Sequence, residues 1–227
     1  MKIKYLQWAG ALALLAGCAT ASHLQLKHDV QVVSHTNAFQ QTQQIAAWST
    51  QWYVDDENNQ WPTGLTLSAQ AVQYADGRRA RVLILRNDEL SRHQGAAAYR
   101  QAREEQKRLS QQCATVSLVH DEHALVVPVT SITVRALARS GLMPVPPTDT
   151  DMDPVETMVR KNSSDSFVLS TKAQANIGND TWQKLATAQS LDYDLCGQTA
   201  SASQAELKGL QQVIRQFQHL GKSSPGS

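Results

Sequence analysis

The sequence is poor in the features that usually announce a function. Its 227 residues carry 21 basic against 20 acidic side chains, a formal net charge of +1, so the basic excess needed to hold nucleic-acid phosphate is missing. Hydrophobic residues at 41% and charged residues at 18% exclude both a disordered acidic tail and a membrane bundle. No apolar run long enough to span a bilayer follows Cys18, which leaves no further candidate for a spanning helix. There is no G-x-S-x-G elbow, no S-x-x-K pair, no G-x-G-x-x-G or Walker loop and no Cys-x-x-Cys. Those absences lower the expectation of an enzyme and leave no cofactor to expect. No internal repeat of the length that marks a solenoid is present.

What is present begins at the amino terminus. Lys2 and Lys4 precede an apolar run through Leu6, Trp8, Ala9, Ala11, Leu12, Ala13, Leu14 and Leu15. A basic head and an apolar stretch too short to span a bilayer read as a secretory signal. It ends in Leu15-Ala16-Gly17-Cys18, which resembles the lipobox of bacterial lipoproteins. The resemblance implies cleavage after residue 17 and a diacylglycerol on Cys18. Because Ala19 rather than Asp follows, it also implies sorting to the outer membrane. Acyl chains contribute about 0.8 kcal/mol per buried methylene, so several of them hold a protein to a bilayer without a spanning helix. The expected organisation is a signal peptide (1–17), an acylated tether (18–23), a single α+β periplasmic domain (24–221) and a flexible tail (222–227). Without residues 1–17 the formal charge becomes −1, from 19 basic and 20 acidic groups.

With Cys18 committed to lipid, Cys113 and Cys196 form an even pair in an oxidising compartment, where a disulfide is expected. The bridge would close a loop of about 84 residues, worth roughly 4–5 kcal/mol in the chain-entropy account.

Along the mature chain, Leu24, Leu26, His28, Val30 and Val32 alternate with mostly polar neighbours as a half-buried strand does. Ala38 to Tyr53 reads as a helix capped by Ser34 or Asn37, with Phe39, Ile45, Ala46, Trp48 and Trp52 at helical spacing. Residues 55–63 form a polar turn region. Leu65–Tyr74 and Ala80–Arg86 read as strands around a tight Asp76-Gly77 turn with both residues at positive φ. A helix is expected from Asn87 or Ser91 to Gln112. Ser91 and Gln94 stand at capping-box spacing, and Tyr99, Ala102, Gln106, Leu109 and Cys113 form its inward stripe. Ala114–Val119 and Ala124–Val129 read as strands around His120-Asp121-Glu122-His123, while Ser131–Ser140 fits helix or strand. Residues 143–154 hold four of the seven prolines and three aspartates and form an exposed loop. A short helix at 155–161, a strand at Phe167–Leu169, a helix at Asp180–Gln189 and a strand through Leu191, Tyr193 and Leu195 carrying Cys196 follow. The last helix has a capping box in Ser203 and Glu206, a face of Leu207, Leu210, Ile214, Phe217 and Leu220, and Gly221 to end it. The order lacks a βαβ rhythm and points to an α+β fold with a largely antiparallel sheet, hairpins and packed helices.

His120-Asp121-Glu122-His123 is the densest titratable cluster. It lacks the His-Glu-x-x-His spacing of a zinc-protease helix and lies between strands, so it reads as a solvated turn, and no metal is expected. Asp149, Asp151 and Asp153 start like a calcium loop. That loop needs Gly at its sixth position and Glu at its twelfth, where Pro154 and Arg160 stand. Between residues 76 and 108, nine basic and five acidic groups include Arg78, Arg79, Arg81, Arg100 and Arg103. They offer a face for anionic headgroups or an acidic partner, or a helix surface solubilised by i,i+4 pairs of Arg100 and Arg108 with Glu104. Trp48, Trp52 and Trp61 could line a ligand groove or simply pack.

These readings favour a membrane-anchored envelope lipoprotein acting as a non-enzymatic protein-interaction module, accessory to a secretion, conjugation or surface apparatus. Its partners would be the bilayer, through acylated Cys18, and an envelope protein, with no nucleic acid. The alternatives are an immunity or exclusion lipoprotein that occludes an incoming effector, a ligand-binding module built on the tryptophans, and a periplasmic hydrolase relying on His120 and His123.

Overall fold

A computed structural model describes residues 25–39, 41–54, 60–91, 93–138 and 167–220. The expected loop at 143–154, the helix at 155–161, Cys18 and the tail lie outside them. The described residues form an α+β fold in which strands dominate. The large sheet contains β1 (Gln25–Asn37), β2 (Thr42–Val54), β3 (Gln60–Pro62), β4 (Gly64–Gln73), β5 (Arg79–Leu90), β8 (Ser131–Ala138) and β9 (Phe167–Asn176). Its order is β1-β2-β4-β5-β9-β8, with β3 also on β2, and each pairing is antiparallel. A smaller antiparallel sheet runs β11-β10-β6-β7, from β6 (Thr115–His120), β7 (His123–Pro128), β10 (Leu191–Leu195) and β11 (Gln198–Ser201). The helices are α1 (Gly95–Gln112), α2 (Asn179–Leu185) and α3 (Gln204–Leu220).

The main core lies between the two sheets and α3. Ile45 and Ala47 of β2, Leu83 and Leu85 of β5 and Val116 and Leu118 of β6 meet Leu207, Leu210, Val213, Ile214 and Phe217. A satellite cluster sits under the start of α1, where Ala98 and Ala102 cover Phe167, Leu169 and Ala136. On the other face of the large sheet, Ala46, Trp48 and Ile84 form a third cluster.

That double burial corrects the expectation of a helix over Ala38–Tyr53. The segment is strand β2, buried without a break from Gln44 to Thr50. A strand covered on both faces carries apolar residues at odd and even positions, so period-2 alternation disappears and residues fall by chance at helical spacing. Ser131–Ser140, left open by the sequence, is strand as far as Ala138. The helix expected from Asp180 ends early, at Leu185.

Local chemistry also departs from expectation at two turns, β4–β5 and the one holding Cys196, and at one helix. The β4–β5 connection is a three-residue loop, closed by the Tyr74 and Arg78 backbones, with positive φ at Gly77 but not at Asp76. It thus avoids the cost of a left-handed aspartate. The β6–β7 turn is the reverse, a two-residue connection with Asp121 at φ 45° and Glu122 at φ 69°. Cys196 lies beyond β10 in the β10–β11 turn, at φ 55° beside Gly197. Helix α1 starts at Gly95 and has no side-chain cap from Gln94; Ser91 Oγ bonds instead to Gln101 and His93. Tyr99 is exposed and Gln106 half-buried, so the buried stripe of α1 is Ala98, Ala102 and Leu109.

Cys113, just past α1, is bonded to Cys196 with Cα atoms 5.3 Å apart. The bridge ties the end of α1 to the small sheet, and Cys113 belongs to the main core.

Candidate functional site

The most convergent polar group in the fold surrounds Glu206, in the first turn of α3. Its side chain is fully buried. The capping box is reciprocal: Glu206 N–H donates to Ser203 Oγ at 3.1 Å, and Ser203 N–H donates to Glu206 Oε2 at 2.8 Å. The other carboxylate oxygen, Oε1, accepts Ser49 Oγ–H at 2.8 Å and Leu67 N–H at 2.8 Å. His28 Nε2 lies 2.7 Å from Ser49 Oγ and 3.4 Å from Glu206 Oε1. Tyr193 Oη reaches Leu65 O at 3.1 Å and Glu206 Oε1 at 3.4 Å. One carboxylate therefore joins β1, β2, β4, β10 and α3.

A register offset makes this possible. Ala47 faces Ala69, but Trp52 faces Pro62, so the β3–β4 side holds two more residues than β2 over that stretch. Gly64, at φ 76°, sits in the offset, where a left-handed residue is cheap only as glycine. The ladder opens, and Ser68 Oγ accepts Ser49 N–H at 2.9 Å. Leu67 N–H, released from β2, turns to Glu206. Buried backbone donors must find acceptors, and here one carboxylate oxygen serves.

Serine, histidine and a carboxylate in contact invite comparison with a hydrolytic triad, but the order of contacts is wrong. A triad needs the imidazole to take the serine proton on one nitrogen and hold the acid through the other. Here Ser49 gives its only proton to Glu206 and accepts from His28, and Nε2 of His28 faces both groups. Ser49 is also 3% exposed, closed to a substrate carbonyl. Burial pushes the Glu206 carboxyl up, but hydrogen bonds from His28, Leu67 and Ser203 outweigh it and hold it below the usual carboxylate range. Burial and the neighbouring carboxylate push the Tyr193 phenol up. The group is a charged clasp, not a reaction centre.

The residues singled out from the sequence fall elsewhere. His120 and His123 face each other across the β6–β7 turn with ring centroids 5.6 Å apart. Among the described residues no set of three or more His, Cys, Asp or Glu side chains could hold a metal. Asp121 works on structure: its Oδ1 accepts the backbone N–H groups of Gln189 and Ser190 at 2.9 Å each. Those bonds lower its carboxyl below the usual range.

The arginines do not share one face. Arg78 pairs with Asp76 at 2.6 Å and stands over Tyr74. Arg79 and Arg81 lie over Phe217 at 5.1 and 5.7 Å. Burial and the charge of Arg79 depress the Arg81 guanidinium. Arg100 and Arg103 are exposed on the first half of α1, whose Tyr99 packs on Phe167. Phe167 begins β9, at the end of the sheet remote from Arg79, because β9 Asn176 pairs near that arginine and β9 Val168 pairs with Leu90. The ion pair observed on α1 joins Arg108 to Glu105, at i,i+3, rather than to Glu104.

The tryptophans do not share one groove either. Trp48 and Trp52 lie on one face of β2, whereas Trp61 stands opposite Tyr53 and therefore on the other face, with ring centroids 5.9 Å apart. All three are buried. Sequence reasoning had missed an amide-lined hollow of about 500 Å³ at the sheet end where Arg79 lies. Asn37, Gln41, Gln43, Gln73, Tyr74 and Leu220 line it, and Phe39 stands fully exposed at the β1–β2 tip beside it. No single residue there has a spacing signature, because the hollow joins two hairpin ends and the end of a helix.

The clasp did leave one trace in the sequence. Glu206 stands four residues before Leu210 and seven before Val213, on the apolar stripe of α3. A carboxylate at such a position must meet donors. His28 and Ser49 left no such trace.

Fold and clasp together define a class: a disulfide-stapled, sheet-dominated α+β protein with a buried carboxylate at its structural centre. Comparison of the chain with protein-family models, with curated proteins and with solved structures gives no match.

Proposed function

We propose that the protein is an envelope lipoprotein, anchored by acyl chains on Cys18, whose α+β body serves as a non-enzymatic protein-interaction module accessory to a secretion, conjugation or surface apparatus. The observation that carries this reading is Leu15-Ala16-Gly17-Cys18 behind a basic head and a short apolar run. Ala19 favours the outer membrane. Two features support binding over catalysis. The serine–histidine–carboxylate contact has its proton on the wrong partner, and the His120–His123 turn gathers no third metal ligand among the described residues. No helix among the described residues is long and apolar enough to cross a membrane.

The test compares wild type with Cys18→Ser in cells fed radiolabelled palmitate and then fractionated. Wild type should take up label and partition with membranes, and the variant should do neither. An unlabelled wild type, or a variant that stays membrane-bound, overturns the reading.

A further inference from the structure

We infer that the amide-lined hollow at the tip of the large sheet is a binding site for an uncharged, N-acetylated saccharide. Its floor is a row across three strands: Thr36 of β1 pairs with Gln43 of β2, and Gln43 pairs with Gln73 of β4. Paired residues share a sheet face. This one is the face of Val32, Ile45 and Ala71, which belong to the main core or pack on it. Helix α3 crosses that face to Leu220, which lines the hollow. There the core-facing positions change from aliphatic side chains to amides and a hydroxyl, and a space of about 500 Å³ lies over them. Such a volume is ordinary for a small-molecule site.

Charge decides the class of ligand. None of the described residues lining the hollow is charged. The nearby cations are engaged elsewhere, Arg78 with Asp76 and the Tyr74 ring, Arg79 with the Phe217 ring and Gln73. An ionic ligand would therefore lose hydration and gain no counter-charge. What the lining offers is carboxamides, each pairing a donor with an acceptor. An acetamido group carries the same pair, so the two can meet through two hydrogen bonds, and sugar hydroxyls can serve either partner. Arg79 Nη2 donates to Gln73 Oε1 at 3.3 Å, which leaves the Gln73 amide N–H groups for a ligand carbonyl. Tyr74 and Leu220 supply the apolar part, and the negative face of a tyrosine ring attracts the C–H side of a sugar.

The tip is shaped against the local preference of its backbone. Gln41 lines the hollow at φ 49°, in the left-handed region where a residue other than glycine is strained. Asn37 Oδ1 holds the same turn by accepting Phe39 N–H at 3.0 Å. The hollow lies at the Asn37 end of β1, roughly 40 Å along the strand from Gln25. With Cys18 anchored, that end is the one remote from the bilayer, where a glycan outside the membrane can reach it. Only this orientation rests on the acylation of Cys18; the chemistry of the hollow does not.

Titration calorimetry of the full-length protein, in a detergent without a sugar headgroup, tests this with N-acetylchitotetraose as the probe. A dissociation constant of about 1 mM or tighter is expected. Maltotetraose, which lacks acetamido groups, should bind at least roughly five-fold more weakly, and the deacetylated, cationic tetramer should give no heat. Gln73→Ala should weaken binding roughly ten-fold, the effect of losing one well-placed hydrogen bond. Gln41→Gly guards against a folding artefact. It relieves the left-handed backbone, so the thermal midpoint should stay near that of wild type while binding weakens by a similar factor. No heat from the acetylated tetramer, equal affinity for the deacetylated one, or wild-type affinity in both variants would overturn the inference. The same titration on Cys18→Ser separates the two readings. Unchanged affinity there upholds the hollow whatever palmitate labelling shows, and lost affinity would mean that the heat came from the acyl chains and not from the hollow.

Discussion

Two groups of titratable residues make an instructive pair. His120, Asp121, Glu122 and His123 are contiguous in sequence and form a hairpin tip on which three of the four are exposed. His28, Ser49, Tyr193 and Glu206 are drawn from opposite ends of the chain, yet they meet around one buried oxygen. Density along the chain reports solvation, because a turn must satisfy its backbone with water. Convergence in space reports the cost of burying charge, which falls only when donors from several elements are aimed at it.

Substitutions should separate the two groups sharply. The largest effect is expected at the clasp. Glu206→Ala leaves Ser49, Leu67 N–H and Ser203 N–H without their acceptor and should cost about 3–5 kcal/mol in urea unfolding. A negligible loss would show that water replaces the carboxylate easily. The same residue predicts a pH dependence. Its folded pKa lies below its unfolded one, so its contribution is complete above the ordinary glutamate value of about 4.3 and drains away as pH falls through the lower folded value. Unfolding midpoints measured downward from about pH 5 should fall for wild type and fall less for Glu206→Gln.

Next in size is the staple. Replacing Cys113 and Cys196 together by Ala should cost about 2–5 kcal/mol, read from the same midpoints. If the double variant matches wild type, the bridge constrains little of the unfolded chain. Gly209→Ala comes third. Helix propensity favours alanine by about 1 kcal/mol, but its Cβ meets the stiff Val30 at 2.7 Å and overpacking costs roughly 1–3 kcal/mol. A net loss of about 1 kcal/mol is expected, and a gain would mean that α3 can lift off β1. The smallest effect belongs to the exposed turn. His123→Ala should change stability by less than about 0.5 kcal/mol, and adding Zn²⁺ should leave the wild-type midpoint where it was. A zinc-dependent rise would restore the metal reading of that turn.

How far the chain could be read in advance depends on how one-sided each element is. Helix α3 was legible to its capping box because one face is apolar and the other wet. The hairpin of β6 and β7 was legible because a polar tip separates two short apolar runs. Strand β2 was not, since burial on both faces erased its period. The helix pairing of Arg108 went to Glu105 instead of Glu104, a choice between i+3 and i+4 neighbours that spacing leaves degenerate.

By itself the sequence determined the pairing of Cys113 with Cys196, the antiparallel character of the sheets and the cap of the last helix. Each rests on neighbours in the chain or on a count of two. Only the tertiary structure decided that Trp61 parts company with Trp48 and Trp52, that the arginines divide between two ends of a sheet, and that Glu206 gathers a serine and a histidine it never adjoins. Sheet register and helix docking set those outcomes, and both arise from contacts between residues far apart along the chain.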